Sequence, residues 1–259
     1  MCVCVYSNIW IPSCRKTAII EALREDASLG NETISVVFFK DQGLERSQQM
    51  FTDLNKHAVK TSNSIAELYD SRDPLAVATR SVISEIDFLN EFTDKEKDIL
   101  GKYSSNLFTL STFYNANKKI IRSGTLNADA ERILLDFWKC ISANILPWID
   151  LQNKEISKVD LRENYIVTQS VIIQVLGRLG NYFYTHPELE MAVVLERLRM
   201  IDWRRTASHW KLRTIREDGR MINNENAIIL TCNIVKNFLG IPLDEAEKAR
   251  EKTFVKKVK

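Results

Sequence analysis

Basic and aromatic side chains are interleaved between Met191 and Arg220. This stretch holds eight Lys or Arg residues against four acidic ones, with Trp203 and Trp210 among them. Cations attract backbone phosphates and aromatic rings stack on bases, so this composition favours contact with nucleic acid. We predict that DNA is contacted by Arg204, Arg205, Trp210, Lys211, Arg213, Arg216 and Arg220. An alternative stays open, in which both Trp residues anchor the core and the Arg residues form a solvated face.

A second polar segment, residues 43–60, is rich in Gln and Asn and directly follows an apolar run. One interpretation is an amphipathic helix whose solvated face carries these amides. The other is the wall of a ligand site next to the end of a strand. The residues alone leave both open.

Several motifs of enzymes and metalloproteins are missing from the sequence. It contains no P-loop, no G-x-G-x-x-G, no H-E-x-x-H and no G-x-S-x-G pattern, and Cys2-x-Cys4 lacks a second pair of zinc ligands. The three His residues are scattered. We therefore assign no catalytic residue, metal site or cofactor.

Bulk composition indicates a globular protein of the reducing cytoplasm. The 259 residues carry a net charge of only +2, so any affinity for DNA must come from local patches. Five irregularly spaced Cys residues do not form a disulfide framework, which favours a cytoplasmic location. No apolar run approaches the roughly 18 residues of a membrane span, so we expect no membrane partner.

The N-terminal part predicts one β-α-β unit. Val3–Tyr6 and Ile34–Phe39 have the composition of strands, and Lys16–Asp26 between them has an apolar stripe typical of a helix. Two strands are marginal as an independent sheet. We therefore expect that the chain is N-terminally truncated, and that its front segment is loosely packed and prone to aggregation.

Helical periodicity dominates the rest of the chain. Apolar stripes at helical spacing run from Leu44 to Ala58, Leu75 to Leu89, Tyr103 to Ile121, Ile133 to Ile145, Val167 to Phe183, Leu189 to Leu198 and Asn224 to Leu239. Asp73 and Pro74 start one helix, and Gly240 ends the last strong one. We predict a mostly α fold, in which residues 1–70 form a small α/β remnant and residues 71–259 a multi-helix domain.

Two stretches of the chain resemble the DndB-type proteins of DNA sulfur (phosphorothioate) modification, within the wider DGQHR-domain family. The first runs from Val36 to Ala76. The second comprises Ile201-Asp202-Trp203, Trp210, Gly219-Arg220-Met221, Asn226, Leu230-Thr231-Cys232-Asn233 and Leu239-Gly240-Ile241-Pro242-Leu243. The resemblance extends from about Arg15 onward, and it implies that the N-terminal segment is similar to ParB and sulfiredoxin-like domains.

The family is named for an Asp-Gly-Gln-His-Arg motif at a helix N-terminus, which resembles the phosphate-handling turn of ParB and sulfiredoxin-like domains. Such a turn suits phosphate because a helix start and an Arg side chain both bind anions. The matching position here reads Ile11-Pro12-Ser13-Cys14-Arg15-Lys16, in which only Arg15 agrees. In an enzyme of this kind, Arg15, Asp53 and Asn55 would line the phosphate pocket. The loss of the other motif residues argues against nucleotide binding or catalysis.

The resemblance implies a DNA-binding transcriptional regulator that acts on the promoter of its own modification operon, within a restriction-modification context. Other sulfur-modification proteins are further possible partners. Two alternatives remain: a nucleotide-binding enzyme similar to ParB and sulfiredoxin, and an inactive, truncated helical interaction module.

Overall fold

The computed structural model describes residues 2–5, 13–33, 36–39, 46, 62–101, 103–122 and 126–258. The chain divides into two compact units, Met1–Lys60 and Thr61–Lys259. The division falls at residue 60, ahead of the boundary at residue 70 that the sequence predicts.

The first unit contains a parallel β-α-β arrangement. Strand β1, Cys2–Val5, pairs in parallel with strand β2, Val36–Phe39, in a register that sets Cys2 opposite Val36. Helix α1, Ser13–Glu25, connects them, and a 3-10 helix, Ala27–Asn31, follows it. Asp26 caps that short helix by accepting a hydrogen bond from the Ser28 amide at 2.9 Å. The predicted β-α-β unit is confirmed, and the predicted Leu44–Ala58 helix, apart from Arg46, lies outside the described residues.

The second unit is almost wholly helical, which confirms the mostly α fold. Its helices are α2 (Asn63–Tyr69), α3 (Pro74–Glu85), α4 (Asp87–Phe92), α5 (Leu110–Ile121), α6 (Ala128–Asn144), α7 (Leu146–Gln152), α8 (Lys158–Asn164), α9 (Ser170–Thr185), α10 (Met191–Glu196), α11 (Glu225–Leu239) and α12 (Glu245–Val258). Two short strands, β3 (Thr93–Asp94) and β4 (Phe108–Thr109), pair in parallel. Within the described ranges, no helix has the length and apolarity needed to cross a membrane.

Local capping signals explain where several helices begin and end. Asp73 accepts a hydrogen bond from the Leu75 amide, and Pro74 occupies the first turn of α3, as the sequence predicts. Asn224 caps α11 through the Ala227 amide. Gly240 ends α11 with φ of 74°, a left-handed conformation that glycine adopts without steric cost.

Two helix predictions are wrong in detail. The stripe from Tyr103 to Ile121 predicts a helix that includes Tyr103, but α5 starts at Leu110, because the Thr109 side chain accepts from the Thr112 amide. Tyr103 lies outside the helix and is 92% exposed. The stripe from Leu189 to Leu198 predicts one helix, but α10 spans only Met191–Glu196, a 3-10 helix over Arg197–Met200 follows it, and Val193 on α10 is 57% exposed.

The core of the second unit is built from stacked and edge-on aromatic rings. Phe88 stacks on Trp148 with ring centroids 4.9 Å apart, and Phe113 meets Trp138 edge-on at 5.0 Å. Buried Asn117 accepts from the Trp138 indole at 2.7 Å, so the polar edge of that ring is satisfied.

Helices α5 and α9 pack in parallel at very short range. Gln174 donates to the carbonyl of Thr112, and Asn181 donates to the carbonyl of Ile120. The later residue of α9 contacts the later residue of α5, so the two helices run in the same direction. A Cβ atom at Gly177 would lie 2.6 Å from the carbonyl oxygen of Ala116, closer than real Cβ contacts. Glycine is therefore required at this crossing, and the close approach fixes the polar faces of the two helices side by side.

Candidate nucleic-acid interface

Most of the basic stretch folds as an irregular loop, from Asp202 to Met221, which is held by a pair of buried indoles. Trp203 and Trp210 are at most 1% exposed and stack with ring centroids 5.5 Å apart. The Trp210 indole donates to the carbonyl of Asp202 at 2.9 Å. Because each buried indole contributes a large apolar area, the stack anchors the loop to the helical body.

Backbone hydrogen bonds tie both ends of the loop down. The Ile166 amide donates to the carbonyl of Trp203 at 3.0 Å, and the Ile222 amide donates to the carbonyl of Thr214 at 2.8 Å. Between these ties, the Arg216 amide donates to the carbonyl of Arg220 at 2.8 Å across a tight turn. The turn contains Gly219 at φ of 78°. Arg216 and Arg220 therefore emerge from the two sides of one turn.

Four of the residues predicted to contact DNA are exposed on this loop: Arg204, Lys211, Arg216 and Arg220. Arg220 lies 3.8 Å from Asp218 in a pair that is mostly solvated, and such pairs contribute little energy. A hydrogen bond with Tyr165 raises the pKa of Arg204. These four side chains are accessible to an anionic partner.

The other three predicted residues face the protein. Trp210 is fully buried, so its ring cannot stack on a base, and the open alternative of a core anchor describes it correctly. Arg213 forms an ion pair with Glu251 at 2.7 Å and lies over the Phe254 ring at 4.2 Å, so it fastens α12. Arg205 is half-buried, and desolvation lowers its pKa.

Two further cations of the basic stretch bind helix ends. Arg197 donates to the carbonyl of Leu239 at 2.9 Å, at the end of α11. Arg199 donates to the carbonyl of Ala143 and the side chain of Asn144, at the end of α6. Cations are favourable at helix C-termini, so these two Arg residues serve the fold.

The predicted phosphate pocket of Arg15, Asp53 and Asn55 stays a prediction. Arg15 belongs to the first turn of α1, whereas Asp53 and Asn55 lie outside the described residues.

A polar cleft of about 990 Å³ runs along α5 and α9, a site that the sequence analysis missed. Each helix presents one polar stripe to it, with Asn115 and Lys118 on α5, Arg122 directly after its end, and Gln174, Arg178 and Asn181 on α9. The sequence signal was present in each helix, since these residues recur every three or four positions opposite the apolar stripe. The pairing of helices about 60 residues apart could not be read from either stripe.

The cleft floor holds a buried ionic cluster. Lys236, on α11, donates to both carboxylate oxygens of Glu247 at 2.8 Å, and Arg178 donates to the same carboxylate at 3.2 Å. Glu247 also accepts from the Asp244 amide, while its own amide donates to the Asp244 side chain, in a reciprocal cap that starts α12. Lys236 and Glu247 are almost completely buried, so removal of either side chain would leave the other charge buried without compensation.

The ranges that the structure covers show no arrangement of residues for a metal ion, and they contain a fully buried Cys. No group of three or more His, Cys, Asp or Glu residues there is arranged to hold a metal ion. Cys232 is fully buried, and desolvation raises its thiol pKa to about 12, which keeps it protonated and unreactive.

Comparison with known protein families gives a match to this chain. A family model described as DndB, DNA-sulfur modification-associated, matches residues 14–242. The matched region includes the loop from Asp202 to Met221 and both helices of the cleft, and it ends before α12. No curated protein and no solved structure matches the chain.

Proposed function

We propose, on the premise that this chain belongs to the DndB family of DNA-sulfur modification-associated proteins, that it binds DNA at the promoter of its modification genes and regulates their transcription. Family membership supplies the biological context of DNA sulfur modification. The contact with DNA is argued from the surface of the chain.

One observation supports DNA contact most directly: Arg204, Lys211, Arg216 and Arg220 project from a loop whose base is fixed by the Trp203–Trp210 stack. A rigid base lowers the entropic cost of ordering cations against a phosphate backbone. The four side chains are exposed, so their charges remain available to phosphates.

The charge pattern favours a nucleic-acid partner over general solubility. The inward-facing Arg residues of the same stretch bind carbonyls and carboxylates, as Arg199 and Arg213 show. The outward-facing ones form only the loose pair with Asp218 among the ion pairs of the described residues. Arg guanidinium groups also match phosphate oxygens with two parallel hydrogen bonds, which suits a DNA backbone.

Binding to the promoter of a linked sulfur-modification operon tests the proposal by fluorescence anisotropy over a range of salt concentrations. Each phosphate contact makes log K fall more steeply with log salt concentration, by about 0.9 in slope. Relative to about 1 M salt, one contact is therefore worth roughly tenfold in affinity at about 0.1 M salt. The double variant Arg216→Ala/Arg220→Ala should reduce the slope by about 2 if both side chains contact phosphate.

The matched control is Arg132→Ala/Lys139→Ala, which removes two exposed cations from α6 outside the loop. It should leave the affinity nearly unchanged. A reporter fused to the same promoter should respond to the chain, and the loop variant should weaken that response. Absence of DNA binding by the unaltered chain would exclude the proposal.

A further inference from the structure

We propose that the cleft between α5 and α9 binds a small polyanionic phosphate compound, for which ATP serves as a probe, at a site separate from the loop proposed to contact DNA. The proposal does not depend on DNA binding. It rests on the size of the cleft, the polarity of its walls, and cations that the fold leaves without acidic partners.

The walls of the cleft are polar and held rigidly. Gln174 donates to the carbonyl of Thr112 at 3.1 Å and Asn181 to the carbonyl of Ile120 at 2.7 Å, so both amides are fixed in position. Asn115 donates to the carbonyl of Ser111 at 2.8 Å. Preorganised hydrogen-bonding groups lower the cost of binding a polar ligand.

Two cations stand at one end of the cleft without a role in the fold. Lys118 lies in the last turn of α5 and Arg122 directly after its end, and neither has an ion pair with any residue that the structure describes. Like charges at this spacing repel each other in an isolated helix. Their neighbour Lys119 is paired with Glu225 at 2.9 Å, so the two remain as the available charges.

Arg122 also has an unusual backbone. Its φ is 30°, a positive value at a residue with a side chain, where it ends α5. Strained conformations of this kind cluster at ligand-binding sites, because the surrounding structure must hold them in place. Arg122 is one of the residues that line the cleft.

Arg178 provides a third cation at the cleft. Its terminal nitrogen donates to Glu247 at 3.2 Å, and its side chain is 24% exposed among the lining residues. Glu247 is shared with Lys236, so one carboxylate faces two cations and a positive charge remains for an anionic ligand.

Size and charge select the ligand class. The volume of about 990 Å³ lies at the upper end of the range for small-molecule sites. The lining holds five Lys or Arg residues against three Asp or Glu residues, so a polyanionic ligand is favoured.

Titration calorimetry of the full chain tests this site, with ATP, inorganic tripolyphosphate and adenosine as probes. We expect saturable binding of ATP and of tripolyphosphate with dissociation constants below about 1 mM, and no binding of adenosine. The variant Lys118→Ala/Arg122→Ala should weaken ATP binding at least about tenfold. Arg122→Lys, which keeps the charge, should bind nearly as well as the unaltered chain, and so should the control Arg132→Ala/Lys139→Ala.

Two results would overturn the assignment directly: no saturation by either phosphate probe, or unchanged ATP affinity in Lys118→Ala/Arg122→Ala. A third is an oligothymidylate that displaces ATP and has a lower dissociation constant than ATP. The last result would assign the cleft to single-stranded nucleic acid. Binding of promoter DNA should be unaffected by Lys118→Ala/Arg122→Ala, which separates this test from that of the loop.

Discussion

Substitution of Gly177 by Ala tests whether the close packing of α5 and α9 builds the cleft. The added Cβ atom would lie 2.6 Å from the carbonyl oxygen and 2.8 Å from the Cα atom of Ala116. Both are backbone atoms in the middle of a helix, so no side-chain rotation relieves the overlap. The helices must therefore move apart.

The magnitude follows from two opposing effects. Overpacking in a well-packed core costs typically 1–3 kcal/mol, and contact with backbone places this case at the upper end. Replacing Gly by Ala in a helix interior is favourable by about 1 kcal/mol. The free energy of unfolding should thus fall by about 2 kcal/mol. Separation should also weaken the hydrogen bonds from Gln174 and Asn181 to α5.

Two further glycines provide a graded series. At Gly180 a Cβ atom would meet the Ile120 side chain at 2.8 Å, and a side chain can shift, so Gly180→Ala should cost less than Gly177→Ala. At Gly101 nothing lies within 4 Å, so Gly101→Ala should be neutral or slightly stabilising, by up to about 0.5 kcal/mol. Urea unfolding measures all three variants. If Gly177→Ala were as stable as the unaltered chain, the interpretation of this crossing would be wrong.

Two ionisable groups give further predictions. Burial, with Asp98 and Asp73 nearby, raises the pKa of Glu67 from 4.5 to about 7, so the folded chain favours the neutral acid. The stability of the folded chain with a protonated Glu67 is fully present below about pH 4.5 and is lost as the pH rises through 7. Glu67→Gln should therefore gain stability over the unaltered chain across that interval, by about 1 kcal/mol because the half-buried carboxyl is partly screened. A difference that does not change with pH, in urea unfolding at several pH values, would contradict the shift. Glu247→Gln should reduce the free energy of unfolding by about 3–5 kcal/mol, because it leaves the charge of buried Lys236 uncompensated. Lys236→Met in the same background should recover part of that loss, and equal stabilities of the single and double variants would argue against the pairing.

Much of the helical body could be predicted from sequence because its signals are local. Asp73 with Pro74 marks the start of α3, and Asn224 with Gly240 delimits α11, since capping depends on residues a few positions apart. The start of α5 was misplaced because the apolar periodicity continues back to Tyr103, while the side chain that caps the helix belongs to Thr109.

The candidate sites were less accessible because they depend on tertiary contacts. The composition of the basic loop could be read from the sequence, but which cations face solvent could not. Arg213 turns inward because Glu251 and Phe254 lie on a helix that packs against the loop. The cleft depends on the parallel register of α5 and α9, which is set by the short contact between Gly177 and Ala116.

The most direct test of DNA binding by the exposed loop is a comparison of four chains by anisotropy on promoter DNA. These are the unaltered chain, Arg216→Ala/Arg220→Ala, Arg213→Ala and Arg132→Ala/Lys139→Ala. We predict a loss of salt dependence in the loop variant, roughly one unit of slope per lost phosphate contact. Arg213→Ala should lower stability but keep the slope, because its side chain faces Glu251, and the α6 control should behave as the unaltered chain. Equal slopes for the loop variant and the α6 control would contradict DNA binding through this loop.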